Sequence, residues 1–466
     1  MSGLTLDGLL GSGGSAIGRA ADAAGRFLES ADTAALLGQV GTTLESLPEA
    51  EHLSKAWFQK SFGRSAAPSG EDLMAGRGLF YVTESRQLML DCTAGHYQMT
   101  WGYGRPELQA LAREAIERGV VWDNHSNIPS GPVKRLAAKL VEAANPDGAS
   151  PDDGESLNTV LLGICTGTVA CAAALKIALT HYAAAKGTRG TPVLMVLEGN
   201  YHGTDFLAQR LRGMWTGYFT GVEVVTVQPN DPEALERAFE QYGERIAAFW
   251  AELVMMNREA ILLDRAYVAL ARRLCDRVGA LMTIDEIQTG FWFPEVMMFH
   301  RYGVVPDFVV LGKGMTAGFH PLSALLYKGK LDCLAQYDAI STNGNAALAA
   351  IVGLGCIALI EREAERIREA GEWLHVQMSD LCAELPEMLV EARGEGHLTG
   401  LKFHRREDAL GCHRAAVERG LWVRAHAYHP GHSGLLTKFA LPLDAQVAAF
   451  TVGALRELLR EAPWRR

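Results

Sequence analysis

The segment Ala280–Met315 constrains the fold of this chain most strongly, because it contains two apolar runs that each end in polar residues. The first run ends at Asp285 and Gln288. The second begins at Asp307 and ends at Lys313, which stands between two glycines. Ligands of open α/β sheets bind beyond the carboxyl ends of the strands. Two neighbouring strands would therefore bring Asp285 and Lys313 to one crevice.

A carboxylate and an amine at one crevice indicate an organic cofactor that is bound to the amine as a Schiff base. The alternative interpretation of Lys313 is a solvated loop lysine. Three ordered motifs bear on this choice: Asp285-Glu-Ile-Gln-Thr-Gly290, Tyr302-Gly-Val-Val-Pro-Asp307 and Leu311-Gly-Lys-Gly314. Together they resemble the signature of the class III aminotransferases, which are pyridoxal-phosphate enzymes of fold type I.

The resemblance implies an α/β fold of fold type I, with a large domain around a mostly parallel central sheet and a smaller α+β domain. We expect a helical N-terminal extension at residues 1–75 and a large cofactor-binding domain at residues 76–360. Residues 361–466 would form the small domain, and residues 76–105 would belong partly to it.

Composition excludes several other classes of protein. A net charge of −10 argues against nucleic acid as a partner and is compatible with a cationic substrate. No run approaches 18 apolar residues, so no membrane span is predicted. The absence of Lys and Arg before Arg19 is not typical of a secretory signal. The eight cysteines lack CxxC spacing, which predicts reduced thiols in a cytoplasm and no metal site.

A predicted phosphate site follows the apolar strand Thr159–Gly163. A glycine at the start of the next helix lets backbone N–H groups approach a phosphate, and the helix dipole favours the anion. A plain strand-to-helix connection is the alternative. The resemblance places Gly167 and Thr168 in the family's Gly-Ser-Glu turn and so implies that they bind the cofactor phosphate, although Val169 replaces the glutamate.

A tyrosine lies just past the apolar run Thr191–Leu197. A tyrosine at such a place can lie flat on an aromatic cofactor ring. The segment Tyr201-His-Gly203 matches the family's Tyr-His-Gly, which implies that Tyr201 stacks on the pyridine ring. A surface turn is the alternative, and no role is assigned to His202.

The resemblance also assigns the chemistry. Lys313 would hold pyridoxal 5′-phosphate as a Schiff base and then act as the base that moves a proton. Asp285 would lie against the pyridine nitrogen and keep it protonated. Gln288 would form a hydrogen bond with the ring 3′-oxygen.

The segment Ser341–Asn345 resembles one whose hydroxyl group reaches the cofactor phosphate of the neighbouring subunit. Alignment on the following glycine and asparagine selects Ser341, whereas likeness of residue type selects Thr342. We prefer Thr342 as the phosphate-binding hydroxyl and keep Ser341 as the alternative. Either choice implies a homodimer with the active site at its interface.

Trp101 and Tyr103 lie in a turn that borders the active site in the family. They are either substrate neighbours or ordinary packing residues. The sequence alone leaves both interpretations open.

Three departures from the family concern the substrate. Lys438 replaces an arginine that grips an α-carboxylate in many members, and a lysine is not an equivalent clamp. Phe293–Glu295 replaces a common Arg-Thr-Gly, and Leu253–Asn257 replaces Pro-Val-Gln-Gly. We therefore expect an amine, an ω-amino compound or an amino sugar as the substrate. Family members in aminoglycoside antibiotic biosynthesis have such substrates.

Three functions remain open at this point. The first is a transaminase that uses a keto or aldehyde acceptor. The second is an elimination or dehydration enzyme, an epimerase or an aminomutase with the same cofactor. The third is a non-catalytic subunit, and the retention of both Lys313 and Asp285 argues against it.

Overall fold

The structure, a computed structural model, describes residues 17–50, 73–120, 128–148, 154–187, 190–212, 221–427 and 429–465. Parts of the predicted N-terminal extension, at 1–16 and 51–72, lie outside the described residues. The chain forms two compact units. The central unit comprises Tyr97–Thr100 and Pro106–Arg368, and the terminal unit comprises Met1–His96, Trp101–Arg105 and Glu369–Arg466. The expected domain boundaries stay a prediction.

The strands and helices are numbered in chain order. The strands are β1 Leu73–Arg77, β2 Phe80–Thr83, β3 Leu88–Asp91, β4 Thr159–Ile164, β5 Val193–Leu197, β6 Glu223–Val227, β7 Ile246–Ala251, β8 Val254–Met255, β9 Ile261–Leu262, β10 Leu281–Asp285, β11 Phe308–Leu311, β12 Ser323–Tyr327, β13 Leu389–Glu395, β14 Leu398–Phe403, β15 Leu421–Trp422, β16 Arg424–His426 and β17 Gly434–Lys438. The helices are α1 Ile17–Ser30, α2 Thr33–Leu37, α3 Pro106–Glu117, α4 Gly131–Ala144, α5 Gly167–Lys186, α6 Phe206–Arg210, α7 Pro232–Tyr242, α8 Arg265–Val278, α9 Ala347–Arg362, α10 Ala364–Glu384, α11 Arg406–Glu418 and α12 Ala445–Glu461.

The central unit is built around a seven-stranded sheet in the order β4-β12-β11-β10-β7-β5-β6. The pairs β11/β10, β10/β7, β7/β5 and β5/β6 are parallel, whereas β12 runs antiparallel to both β11 and β4. Strands β5, β7, β10 and β11 are buried along their whole length. Continuous apolar runs are typical of strands whose two faces are both covered. The predicted α/β class with a mostly parallel central sheet is confirmed.

Helix α5 packs against one face of this sheet. Its alanines and leucines favour a helix, and Leu175 and Ile177 are buried with Trp250 and Phe308 in one apolar core. Among the described residues, α5 is the one helix that is both long enough and apolar enough to cross a membrane. Half of the apolar window is buried inside the protein, as it is in the core helix of a soluble protein.

The terminal unit contains two four-stranded sheets. One has the order β1-β2-β3-β15, with β15 parallel to β3, and the other is the antiparallel sheet β13-β14-β17-β16. Helix α12 begins at the N-cap Asp444, whose Oδ1 accepts a hydrogen bond of 2.8 Å from the Val447 N–H. This bond satisfies one of the N–H groups that the first turn of a helix leaves without a partner.

A buried carboxylate ties together three strands and a helix of the central unit. Asp307 precedes β11, and its Oδ2 accepts bonds of 2.7 Å from Arg272 on α8 and 2.8 Å from the Met282 N–H on β10. Its Oδ1 lies 3.0 Å from the Lys328 Nζ, just past β12. Burial raises the pKa of Asp307, but Arg272 and Lys328 more than offset this effect, and the pKa lies below its usual value.

We predict that Asp307→Asn lowers the free energy of unfolding by about 3 kcal/mol at neutral pH, because it removes the buried counter-charge of Arg272 and Lys328 and leaves them only exposed carboxylates as partners. A group with a lowered pKa stabilises the fold above its unfolded-state pKa and loses that effect as the pH falls. The difference between variant and wild type should therefore shrink below about pH 4. Denaturant unfolding at several pH values measures it.

Glu155→Gln is the matched control, because Glu155 also pairs with Lys328, at 3.2 Å, but its side chain is 71% exposed. An exposed pair contributes about 0–1 kcal/mol. Equal effects of the two substitutions would contradict the assignment of Asp307 as a structural tie.

Candidate active site

Two acidic residues lie side by side at the carboxyl edge of the central sheet. Asp285 ends β10, and Glu252 directly follows β7. The parallel register pairs Thr283 with Trp250, so the next same-face pair along the two strands is Asp285 and Glu252. Both side chains are buried. Ligands of open α/β sheets bind at this edge.

Asp285 is held by three donors. Its Oδ2 lies 2.7 Å from the Nδ1 of His202 and accepts a longer contact of 3.6 Å from the Cys171 thiol. Its Oδ1 accepts a hydrogen bond of 2.9 Å from the Ile287 N–H. Burial lowers the pKa of His202, but the hydrogen bond and the charge of Asp285 outweigh burial and raise it. The imidazole and the carboxylate therefore form a buried ion pair.

Cys171 completes this cluster on α5. Burial and the nearby Asp285 raise the pKa of its thiol well above the usual value, so the sulfur keeps its proton. The ligand atoms of Cys171, His202 and Asp285 lie within 4.8 Å of one another, a spacing that a metal ion could also use. The short contact between His202 and Asp285 is a charge-assisted hydrogen bond.

Glu252 anchors the loop that carries the predicted stacking tyrosine. Its Oε2 accepts a hydrogen bond of 2.8 Å from the Tyr201 N–H. The next residue, His202, places its ring 5.3 Å from that of Trp250 on β7. Burial raises the pKa of Glu252 to about 7. The loop after β5 is thus fixed to the ends of both β7 and β10.

The start of α5 meets the same loop. The side chain of Thr166, the N-cap, makes no capping hydrogen bond, so the first N–H groups of the helix remain available to an anion. The Oγ1 of Thr168 accepts a bond of 3.2 Å from the Thr204 N–H. Gly203 has a φ of +121°, and a Cβ there would lie 2.1 Å from that oxygen. Only glycine permits this approach.

Lys313 lies three residues past the point where Asp285 pairs with Val310 on β11. Its φ of +37° is in the left-handed region, which costs a residue with a Cβ about 1–3 kcal/mol. The flanking Gly314 accepts a hydrogen bond of 2.9 Å from the Thr100 hydroxyl. A Cβ on Gly314 would lie 2.6 Å from the same threonine. The packing around the lysine therefore maintains its strained backbone.

The structure brings most of the predicted residues to this edge. Gly167 contacts Ile287, because a Cβ on Gly167 would lie 2.4 Å from the Cδ1 of Ile287. Gln288 is buried and follows Ile287 in the loop after β10. The ring of Tyr201 has the guanidinium of Arg212 5.3 Å from its centre.

The hydroxyl residues of the segment after β12 are placed by β4. The Ser341 N–H donates a bond of 2.6 Å to the carbonyl of Gly163, and Thr342 is exposed. A Cβ on Gly344 would lie 2.2 Å from the carbonyl carbon of Gly163, so the two segments are in direct contact. The described contacts fix Ser341 and Thr342 beside the strand that leads into α5.

Trp101 and Tyr103 belong to the terminal unit. Trp101 is fully buried with the guanidinium of Arg105 5.2 Å from its ring. The Tyr103 hydroxyl donates a bond of 2.8 Å to Asp91. These contacts are those of packing residues, and a role beside the substrate stays a prediction.

Sequence reasoning gave no role to His202, Glu252 or Cys171. A signal was present for Glu252, because polar residues directly after buried parallel strands tend to meet at one edge. Cys171 gave no such signal, since it lies on the first turns of a helix rich in small apolar residues.

Residues 71–430 match the protein family described as aminotransferase class-III. The chain belongs to this family. An "uncharacterized aminotransferase" of Archaeoglobus fulgidus is 27% identical over 403 residues, 84% of this chain and 85% of the relative. A putrescine aminotransferase of Pectobacterium atrosepticum is 26% identical over 349 residues, 72% and 71% of the two chains. The crystal structure of a transaminase from the marine bacterium Virgibacillus superposes with a TM-score of 0.75 at 21% identity, over 88% and 97% of the chains.

Class III aminotransferases are pyridoxal-phosphate-dependent enzymes of fold type I, and the residues of this aminotransferase fit the cofactor. The N-cap Thr166 makes no capping hydrogen bond with its side chain, so N–H groups at the start of α5 are available to a phosphate. One buried polar atom, the Nε2 of His202, has no hydrogen-bond partner among the described residues. Buried polar groups of this kind are usually satisfied by a ligand or water.

We predict that Gly203→Ala weakens retention of pyridoxal phosphate at least about tenfold and costs about 2 kcal/mol of stability. The new Cβ would displace the Thr168 hydroxyl and with it the start of α5. Equilibrium dialysis and thermal unfolding measure the two effects. Gly221→Ala is the matched control, because no atom lies within 4 Å of a Cβ there. Cofactor retention that is equal in the two variants would contradict the assignment.

Proposed function

We propose that this class III aminotransferase moves an amino group between an amine or amino-sugar substrate and a keto or aldehyde acceptor, with Lys313 as the residue that holds the cofactor. One observation supports this proposal above all. The buried pair of His202 and Asp285 lies at the sheet edge onto which β11 delivers Lys313.

The remaining contacts of the cofactor are proposed from the resemblance to the family. Gly167 and Thr168 bind the phosphate through the N–H groups at the start of α5, and Tyr201 lies along the ring face. Gln288 donates a hydrogen bond to the ring 3′-oxygen. A hydroxyl group of Thr342 or Ser341 reaches the phosphate of a neighbouring subunit. The last point implies a homodimer in which each active site uses residues of both chains.

When bound, pyridoxal phosphate supplies a ring that accepts the electrons left when the C–H bond beside the substrate amine ionises. Asp285 keeps a proton on the ring nitrogen and so keeps the ring electron-poor. The charge of His202 and the Ile287 N–H orient that carboxylate. Once an incoming amine has freed it, the Nζ of Lys313 would be the base that takes the proton from the substrate carbon.

The amine substrate is supported by Lys438. This residue stands where many members have the arginine for an α-carboxylate, and it is fully buried at the end of β17. A second segment that departs from the family, Phe293–Glu295, makes packing contacts. The guanidinium of Arg301 lies 4.4 Å from the Phe293 ring and pairs with Glu295 at 3.1 Å. The relative named putrescine aminotransferase points to amines as well.

Two further proposals concern the setting of the enzyme. The eight cysteines all lie in the described residues and are all free, which supports work in a reducing cytoplasm. A net charge of −10 suits a polycationic substrate such as an aminoglycoside intermediate. We propose antibiotic biosynthesis as the pathway on this basis.

We predict that Lys313→Ala abolishes the visible absorption band of the lysine-bound cofactor and lowers kcat by more than about a hundredfold, because the base at the substrate carbon is lost. Lys330→Ala is the matched control, since Lys330 is an exposed lysine that pairs with Glu155. Spectra and single-turnover kinetics measure both effects. Unchanged spectra in Lys313→Ala would contradict the proposal.

We predict that putrescine and aminoglycosides convert the bound cofactor to its amine form faster than L-glutamate or L-alanine, because no guanidinium occupies position 438. Conversion is followed by loss of the visible band in the absence of any acceptor. Faster conversion by the α-amino acids would overturn the amine proposal. A cofactor that no amine converts would favour elimination, epimerisation or an internal amino shift instead.

A further inference from the structure

The central unit contains two buried glutamates whose hydrogen bonding differs. Burial raises the pKa of both Glu252 and Glu286 to about 7. Glu286 is fully bonded: its Oε1 accepts from the Phe299 N–H, and its Oε2 accepts from the Met298 N–H and the Thr289 hydroxyl. It therefore organises the loop after β10. Both of its oxygens are occupied by these bonds, so Glu286 has no further role at the cofactor edge.

Glu252 has a different pattern. Its Oε2 accepts the single hydrogen bond from the Tyr201 N–H, whereas its Oε1 is buried and has no partner among the described residues. A buried carboxylate oxygen with no donor is costly, and protonation removes the charge. The oxygen bonded to the N–H must stay an acceptor, so the proton belongs on Oε1.

Charged and titratable groups face Glu252 from every element around it. Asp285 lies beside it on β10 and disfavours its ionisation, whereas His202 after β5 and Lys313 after β11 favour it. The charge of Glu252 also raises the pKa of the Cys171 thiol on α5. The ionisation of Glu252 thus adds a negative charge beside the hydrogen-bonded pair of His202 and Asp285.

We infer that Glu252 is a proton-holding positioning residue: its Oε2 fixes the main chain of Tyr201, and gain or loss of the proton on Oε1 sets the charge that the pair of His202 and Asp285 experiences. This inference rests on the proposed cofactor site. It gives Glu252 two separable effects, one on the position of the loop and one on the protonation of the cationic groups beside it.

Three variants separate these effects. Glu252→Gln keeps an oxygen acceptor for the Tyr201 N–H and removes the titration. Glu252→Asp keeps a titrating carboxyl group. Glu198→Gln is the matched control, because Glu198 follows the neighbouring strand β5 but has the Arg258 guanidinium at 3.2 Å as a counter-charge.

The first measurement uses the protein stripped of cofactor. An acid whose pKa is raised in the folded state stabilises the fold at low pH, and this stabilisation is lost as the pH rises from its unfolded value towards about 7. Wild type should therefore lose thermal stability between about pH 5 and pH 8 relative to Glu252→Gln, by several degrees. Glu198→Gln and Glu252→Asp should follow the wild-type profile. Parallel profiles of wild type and Glu252→Gln would overturn the inference.

The second measurement is a pH titration of the absorption spectrum of the protein loaded with pyridoxal phosphate. Loss of a negative neighbour makes a cationic acid release its proton more readily, so the spectral midpoint of Glu252→Gln should lie about one pH unit lower. Glu252→Asp should restore the wild-type midpoint. An equal midpoint in wild type and Glu252→Gln would overturn the inference and leave the proposed function intact.

The same two measurements show which proposal has failed. A wild-type protein that binds pyridoxal phosphate but lacks the lysine-bound band would reject the proposed function, whereas the stability profile of the stripped protein would still test Glu252. If Glu252→Gln fails to fold, Glu252→Asp takes its place. The inference requires that Glu252→Asp retain the pH dependence of the wild type. Loss of that dependence in Glu252→Asp would overturn the inference.

Discussion

The ion pair between His202 and Asp285 is the interaction on which this site depends. A carboxylate that is buried without compensation costs several kcal/mol, and here the compensation comes from a histidine on a different loop and from one backbone N–H. The pair therefore ties the loop after β5 to the end of β10, although β7 lies between these strands. Glu252 at the end of β7 completes the tie by holding the Tyr201 N–H. Three strands thus share one polar edge.

Much of this edge could be predicted from the sequence, because local patterns of apolar and polar residues determine it. Apolar runs predict buried strands, and the polar residues that end them predict a shared edge once the strands are parallel. The positions of Asp285 at the end of β10 and of Gly167 at the start of α5 were accessible in this way. Which side chains touch was not accessible, since the contact of His202 with Asp285 depends on the order of strands in the sheet. No spacing along the chain encodes that order.

The departures from the family show the same limit. In the sequence, Leu253–Asn257 is distinguished only by the family residues that it lacks. In the structure its Val254–Met255 forms β8, which pairs with β9, and Met255 and Met256 are fully buried. Glu295 likewise pairs with Arg301, so its charge is already used within the turn. Whether an unusual residue faces a ligand or a neighbouring side chain is decided by packing at a distance, which local sequence does not record.

Charge balance connects these observations to catalysis. Under the proposed function, Lys313 would be joined to the cofactor in one state and free as a base in another, so the charge at this edge would change during each turnover. In a low-dielectric interior such a change is expensive unless a neighbouring group changes with it. Asp285 already accepts hydrogen bonds from the His202 imidazole and the Ile287 N–H. Glu252 has one oxygen without a partner, and burial holds its pKa at about 7. It is thus the group whose protonation can follow the lysine at neutral pH.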